Sequence, residues 1–194
     1  VTVAAVSEKT DTVAAEVKDQ ASKSSWTDKM YWKGDFRYRY EHFDIEGKDN
    51  RNRSRIRARA ALIADVSPTV QVGLGLATGG DDPVSSNQTL GGGGSSKGLN
   101  VDLAYFDWSG LKDTNVYGGK FSNYIYKSGK TQLLWDGDWR PEGTGIKWNN
   151  GTFFAHGLGT WIESDTSKGE SFAYLTQIGA QVPIGDSVKL TGGP

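Results

Sequence analysis

The sequence predicts an all-β protein: an antiparallel transmembrane β-barrel, of which about eight to nine strands are present here. Three observations predict it. From about residue 30 onward, apolar and polar side chains alternate with a period of two. The connections between alternating stretches are long and polar in odd positions and three to five residues long in even ones. The first two stretches set a strongly charged face against an apolar one. Alternation of this kind averages to a polar mean hydropathy even when one face is built for lipid.

Composition narrows the function classes. The chain has 194 residues, 26 of them glycine, about twice the usual share. It has no cysteine, which excludes disulfides, cysteine-ligated zinc, iron–sulfur clusters and a cysteine nucleophile. A net charge of −1 gives no case for a nucleic-acid partner. No apolar run approaches the 18 residues of a membrane helix.

The elements follow in order. Residues 1–25 hold neither glycine nor aromatics, and Val6, Thr10, Val13, Val17 and Gln20 recur at spacings of 3 and 4. That is the spacing of a coiled-coil seam. Residues 1–29 are therefore read as an N-terminal helical segment on the periplasmic side, either an oligomerising helix or a frayed tail. Residues 30–194 are read as the barrel part. Residues 31–43 place Trp32, Gly34, Phe36, Tyr38 and Tyr40 on one face and Lys33, Asp35, Arg37, Arg39 and Glu41 on the other. Residues 53–64 place Arg53, Arg55, Arg57 and Arg59 opposite Ser54, Ile56, Ala58, Ala60, Leu62 and Ala64. Asp65-Val66-Ser67-Pro68 reads as a tight turn. Further strands are expected over 69–77, from Leu99 to Phe106, from Val116 to Phe121, around Ile146 and Trp148, over 152–162 and 171–182, and from about Ser187. In the 152–162 strand, Phe154, His156, Leu158, Thr160 and Ile162 share the apolar face.

The expected connections are 44–52, 66–68, 78–98, 109–113, 122–143, 149–151, 163–170 and 183–186. A soluble sandwich has no reason to sort its loops by parity, whereas a barrel threaded from one side of a membrane does. The first two strands would point six arginines, Lys33, Asp35 and Glu41 inward. That is too much charge for the dry interior of an eight-stranded barrel. The expectation is therefore about half of a larger barrel.

The candidate chemistry lies on the inward face and in the long connections. Arg37, Arg39, Arg53, Arg55, Arg57 and Arg59 form a basic wall, joined in the pore lining by Lys33 and Lys120. Guanidinium groups so crowded need water or counter-charge, and a wall of charge in a wet lumen sets ion selectivity. The 122–143 connection is too long to be idle and, from Leu133 and Leu134 to Gly143, mixes apolar anchors with acids. It is expected to fold into the lumen as a constriction, with Trp135, Asp136, Asp138 and Glu142, its acids facing the arginines. The glycine-rich 79–98 stretch is expected to be a flexible external loop.

Nucleotide and catalytic readings fail. Lys97 is followed by Gly98, and the Gly129-Lys130-Thr131 triplet has Tyr124 where a phosphate loop needs its first glycine. His42 and His156 have no serine or aspartate at triad-like spacing. Asp136 and Asp138 fit neither a readable carboxylate pair for glycoside hydrolysis nor a calcium loop. No enzyme activity, cofactor or metal is expected.

Several ordered stretches carry a family resemblance. They are Trp32 to Glu41, Arg53 to Arg59, Gly75 to Gly79, Asp82 to Gly91, Tyr117 to Lys120, Leu134 to Asp138 and Pro141 to Gly143. From about Trp32 to Ile184 the chain resembles the bacterial putative porin family of Gram-negative outer membranes. The resemblance implies a barrel of about sixteen strands, often trimeric, whose inward arginines and acidic loop shape a pore for small solutes. Members often carry an N-terminal coiled coil. On that resemblance, the second half of the barrel and its terminal aromatic strand are expected to lie beyond this sequence.

The leading expectation is passive diffusion of small hydrophilic solutes and ions by a homotrimer embedded in membrane lipid and lipopolysaccharide. The alternatives are a plugged barrel or cell-wall tether, and a soluble aromatic-rich carbohydrate-binding sheet.

Overall fold

The computed structural model describes residues 27–164, 169–184 and 188–193, together with Val13, Glu16, Lys18 and Asp19, which are helical. The rest of the predicted seam, Val6, Thr10, Val17 and Gln20, lies outside the described residues.

The described chain is one antiparallel sheet of ten strands. They are β1 (Met30–Phe43), β2 (Arg51–Ser67), β3 (Val70–Thr78), β4 (Gln88–Thr89), β5 (Leu99–Leu111), β6 (Thr114–Lys120), β7 (Glu142–Asn149), β8 (Phe153–Glu163), β9 (Ser171–Ile184) and β10 (Val188–Gly192). Each pairs with the next in the chain, except that β3 passes directly to β5 and the short β4 pairs with β2. Among the described residues β1 and β10 form the two edges, and the sheet does not close on itself. Among the described residues no helix is long and apolar enough to cross a membrane.

The loop parity holds. The connections 44–50, 79–98, 121–141 and 164–170 alternate with 68–69, 112–113, 150–152 and 185–187. Three of the differences from the expected elements have a plain cause. The turn after β2 is Pro68-Thr69, because Asp65 to Ser67 stay in the strand through a register shift against β3. β4 is unforeseen: β3 ends at Thr78 and leaves the edge of the first part of β2 that faces away from β1 open, so Gln88 and Thr89 pair there with Ile56 and Arg55. β7 is eight residues rather than a fragment around Ile146 and Trp148. Gly143 and Gly145 carry no side chain to report the alternation.

The two faces differ in cover. On the bare face Trp32, Phe36, Tyr38 and Tyr40 of β1, Val72, Leu74 and Leu76 of β3, and Tyr174 and Ile178 of β9 are exposed. The other face is covered by the 79–98 and 121–141 connections, and the core lies beneath the second of these. Tyr117, Phe121, Ile125, Phe154 and Leu158 are buried there. Tyr117 meets Phe121 and Tyr124 edge-on, with ring centroids 4.7 Å apart in both pairs.

The glycine excess has a packing use in this sheet. Gly73 pairs with Tyr105, Gly118 with Phe106, Gly145 with Tyr117 and Gly179 with Phe154. In each pair the aromatic ring lies over the glycine, 2.2–2.8 Å from where a Cβ would stand. A ring over a glycine fills the hole in a pleated surface.

The shared apolar face expected in the 152–162 strand is the covered one. In β8, Phe154, His156, Leu158 and Thr160 lie on the covered face, with His156 opposite Lys147, and the bare face carries Phe153 and Trp161. Both sides of β8 carry apolar groups, so the period of two identifies a strand there without saying which face is covered.

Candidate functional site

The basic wall assembles through the register of β1 and β2. Arg37 pairs with Arg57, Arg39 with Arg55, Asp35 with Arg59 and Glu41 with Arg53. Directly opposed residues share a face, so all six arginines project to the covered side with two carboxylates among them. Asp35 accepts from Arg57 Nε at 3.0 Å and Arg59 Nε at 2.7 Å. Glu41 bridges Arg39 and Arg53. Lys33 is on the same face further along β1, its Nζ 5.2 Å from the centre of the Tyr31 ring.

The third carboxylate comes from the 121–141 connection. Asp138 Oδ1 accepts from Arg59 Nη1 at 2.9 Å and Arg57 Nη1 at 3.3 Å. Two arginines and two aspartates thereby close a ring of alternating charge. Asp138 Oδ2 accepts from Ser86 Oγ at 3.3 Å, tying the loop to the 79–98 connection as well. Six arginines against three carboxylates leave a wall with three net positive charges.

The loop is built to reach this far. Phe121 and Pro141 bring its ends together, with Phe121 N donating to Pro141 O at 3.1 Å. Phe121, Tyr124 and Ile125 sink into the core. Burial pushes the Tyr124 phenol well above its ordinary pKa. Lys147 Nζ stands 4.1 Å over the Tyr124 ring and 2.7 Å from Asp107 Oδ2. Gln177 of β9 holds Tyr126 on both sides, accepting from its N–H at 2.7 Å and donating to its carbonyl at 3.0 Å. The loop therefore spans from β9 to β2.

Not every predicted lining residue lies where expected. Asp136 does not face the wall: its Oδ1 accepts from Asp138 N at 2.7 Å, a local turn that aims the next acid. Glu142 also misses the wall. It begins β7 and pairs with Lys120. That pair is in register with Ala104 and lines a cleft beside Asp138 and Arg140, so Lys120 is not part of the arginine ladder. Gly119, just before Lys120, has φ +109°, which only glycine adopts easily. Trp135 stacks on Trp139 at 5.1 Å. Leu133 and Leu134, expected to anchor the loop, are 89% and 78% exposed.

The 79–98 connection departs from its flexible-loop expectation over 84–90. Leu90 N donates to Ser54 O at 2.8 Å. Asn87 Oδ1 accepts from Arg37 Nη2 at 2.6 Å, and the Asn87 carbonyl lies 3.4 Å from Arg55 Nη2. A cleft of about 460 Å³ opens between the two connections, with Asp81, Asp82, Asp102 and Glu142 among its acids and Lys120 and Arg140 as its cations. Arg140 Nε donates to Asp102 Oδ2 at 3.2 Å.

Ser86, Asn87, Tyr126, Arg140 and Gln177 were not singled out by the sequence reading. The true loop anchors did leave a signal there, four apolar side chains within Phe121 to Tyr126. The short polar residues of 85–87 lie in the Asp82 to Gly91 stretch of the resemblance, but nothing in their pattern points to the arginines.

His42 lies 2.6 Å from Asn52 Oδ1, and His156 packs against Phe154. Among the described residues no three His, Asp or Glu side chains converge to hold a metal ion.

No curated protein matches the chain. The family model described as Putative porin matches residues 45–184, from just before β2 to the end of β9. The match takes in both covering connections, the wall arginines Arg53, Arg55, Arg57 and Arg59 of β2, and Asp138, and it spans well over half of the sequence. On that match, the chain belongs to the putative porin family.

Proposed function

We propose that this chain forms the wall of an outer-membrane pore through which small hydrophilic solutes and ions diffuse passively. The observation that carries the reading is the crossing loop. It leaves β6, anchors on β9 and sets Asp138 against Arg57 and Arg59 of β2. An inward-folded loop that places an acid opposite a basic wall narrows a water-filled lumen and screens solutes by size and charge.

The bare face supports a lipid setting. Its exposed Trp32, Phe36, Tyr38, Tyr40 and Tyr174 are what a membrane-facing band with aromatic girdles presents. The free edges of β1 and β10 need strand partners in lipid. The proposal therefore completes the barrel with further strands, to about sixteen, in a homotrimer. The short connections and the N-terminal segment lie on the periplasmic side, and the long connections face outward among lipopolysaccharide. In this arrangement Lys33 and the six arginines line the pore, and Trp135, Asp136 and Asp138 belong to the constriction.

The test is conductance of the full-length protein in a planar bilayer, with the reversal potential read under a tenfold KCl gradient. Stepwise openings are expected, with anions favoured by the net positive wall. Folded, heat-modifiable protein that gives no current refutes the channel and favours a plugged barrel or tether. Extraction into buffer without detergent refutes the membrane setting.

A further inference from the structure

The carboxylates on the wall are unevenly shared. Arg57 and Arg59 divide Asp35 and Asp138, and Arg39 and Arg53 divide Glu41. Among the described residues Arg37 and Arg55 make no ion pair. What they touch is Asn87: its side-chain oxygen accepts from Arg37, and its backbone oxygen from Arg55. A neutral amide orients a guanidinium group and cancels none of its charge. The buried Nε atoms of both arginines have no acceptor among the described residues.

Arg37 and Arg55 are diagonal neighbours across the β1–β2 ladder, where side chains stand about 7–8 Å apart. Arg55 has Arg53 and Arg57 beside it on its own strand and Arg39 opposite. Two forks so placed, fixed by one bracket and crowded by like charge, are relieved by an anion with several acceptor oxygens. We infer that Arg37 and Arg55, bracketed by Asn87, form a binding step for a small oxyanion of the phosphate or carboxylate class. Chloride, which offers no planar or tetrahedral set of oxygens, gains less there. This inference rests on the pore reading and adds a ligand class to it.

The test uses full-length protein in a planar bilayer carrying a KCl current, with inorganic phosphate added at constant ionic strength. Phosphate that lingers between the two arginines lowers the current in a saturable way. Arg55→Gln removes one fork. Asn87→Asp keeps the shape of the bracket and supplies the missing counter-charge. Each variant is expected to raise the half-blocking phosphate concentration about tenfold or more, the scale of one charge-assisted hydrogen bond. Lys48→Gln, which removes a unit charge in the 44–50 connection, is expected to leave the block unchanged.

An open pore without phosphate block, or with a block equal in wild type and both variants, overturns the site and leaves the pore standing. Line broadening of the phosphate ³¹P resonance by detergent-folded full-length protein reads the site without a current. Folded protein that conducts nothing overturns the pore. Broadening that both variants abolish would then still support the anion site, and absence of broadening in the wild type overturns it as well.

Discussion

Replacing Asp138 by asparagine isolates the contact by which the crossing loop holds the wall. Removing one partner of a fully buried ion pair costs about 3–5 kcal/mol. Here the side chains of Asp138, Arg57 and Arg59 are 14%, 16% and 21% exposed, so solvent screens part of the interaction. Both arginines also keep Asp35. The asparagine oxygen still accepts from one neighbour. These discounts bring the loss to about 2 kcal/mol, or about 30-fold in the opening equilibrium of the loop. Hydrogen exchange followed by mass spectrometry reads that number directly. Amides over 131–140, and the Ser86 amide that faces Asp138 Oδ2 at 3.5 Å, are expected to exchange about 30-fold faster. Those of Phe121 to Tyr126 are expected to hold, because their anchors on the core and on Gln177 are untouched. The same substitution raises the net positive charge of the wall by one, which should move the reversal potential further toward anions. Exchange over 131–140 within about threefold of wild type, in a protein that remains folded, would refute the latch and with it the magnitude drawn from the Asp138 geometry.

Phe121→Ala empties a fully buried position under the loop and is expected to cost about 3–5 kcal/mol, read as lower urea resistance of the heat-modifiable form. Gly145→Ala puts a Cβ 2.4 Å from the Tyr117 ring; the overpacking should cost about 1–3 kcal/mol and lower the refolding yield. Gln177→Leu removes both hydrogen bonds to the Tyr126 backbone and leaves those two groups unpaired. Exchange of the Tyr126 amide is expected to rise by about tenfold or more. Leu133→Ser with Leu134→Ser should leave stability within about 0.5 kcal/mol, since neither side chain is packed, and a larger loss in the same denaturation assay would mean that the loop tip is covered.

The wall was legible before the structure because β1 and β2 are long, regular and adjacent. Their alternation names the charged faces, and one hairpin brings those faces together with Arg37 opposite Arg57 and Arg39 opposite Arg55. The loop was half legible. Its length and acids announced an inward role, and Asp138 does meet the arginines. Asp136, two residues earlier and chemically identical, turns back on the backbone instead. Nothing in composition separates those two acids, because the difference lies in which one the turn aims at β2. The apolar signal was read at Leu133 and Leu134, while the packed anchors are Phe121, Tyr124 and Ile125.

The sequence by itself determined the local geometry: period-two strands, the parity of the connections, the glycine excess and the charge of the first two faces. Each follows from the backbone pleat and its immediate neighbours, which any short window contains. The tertiary structure alone decided where the chain returns to touch itself. It brought Asn87 to Arg37 and Gln177 to Tyr126. It set Lys120 beside Glu142 rather than among the arginines, and turned the apolar residues of β8 toward the core. Those contacts join residues up to 81 positions apart, as in Arg57 with Asp138. Their partners are chosen by sheet register and loop reach, which local periodicity does not encode.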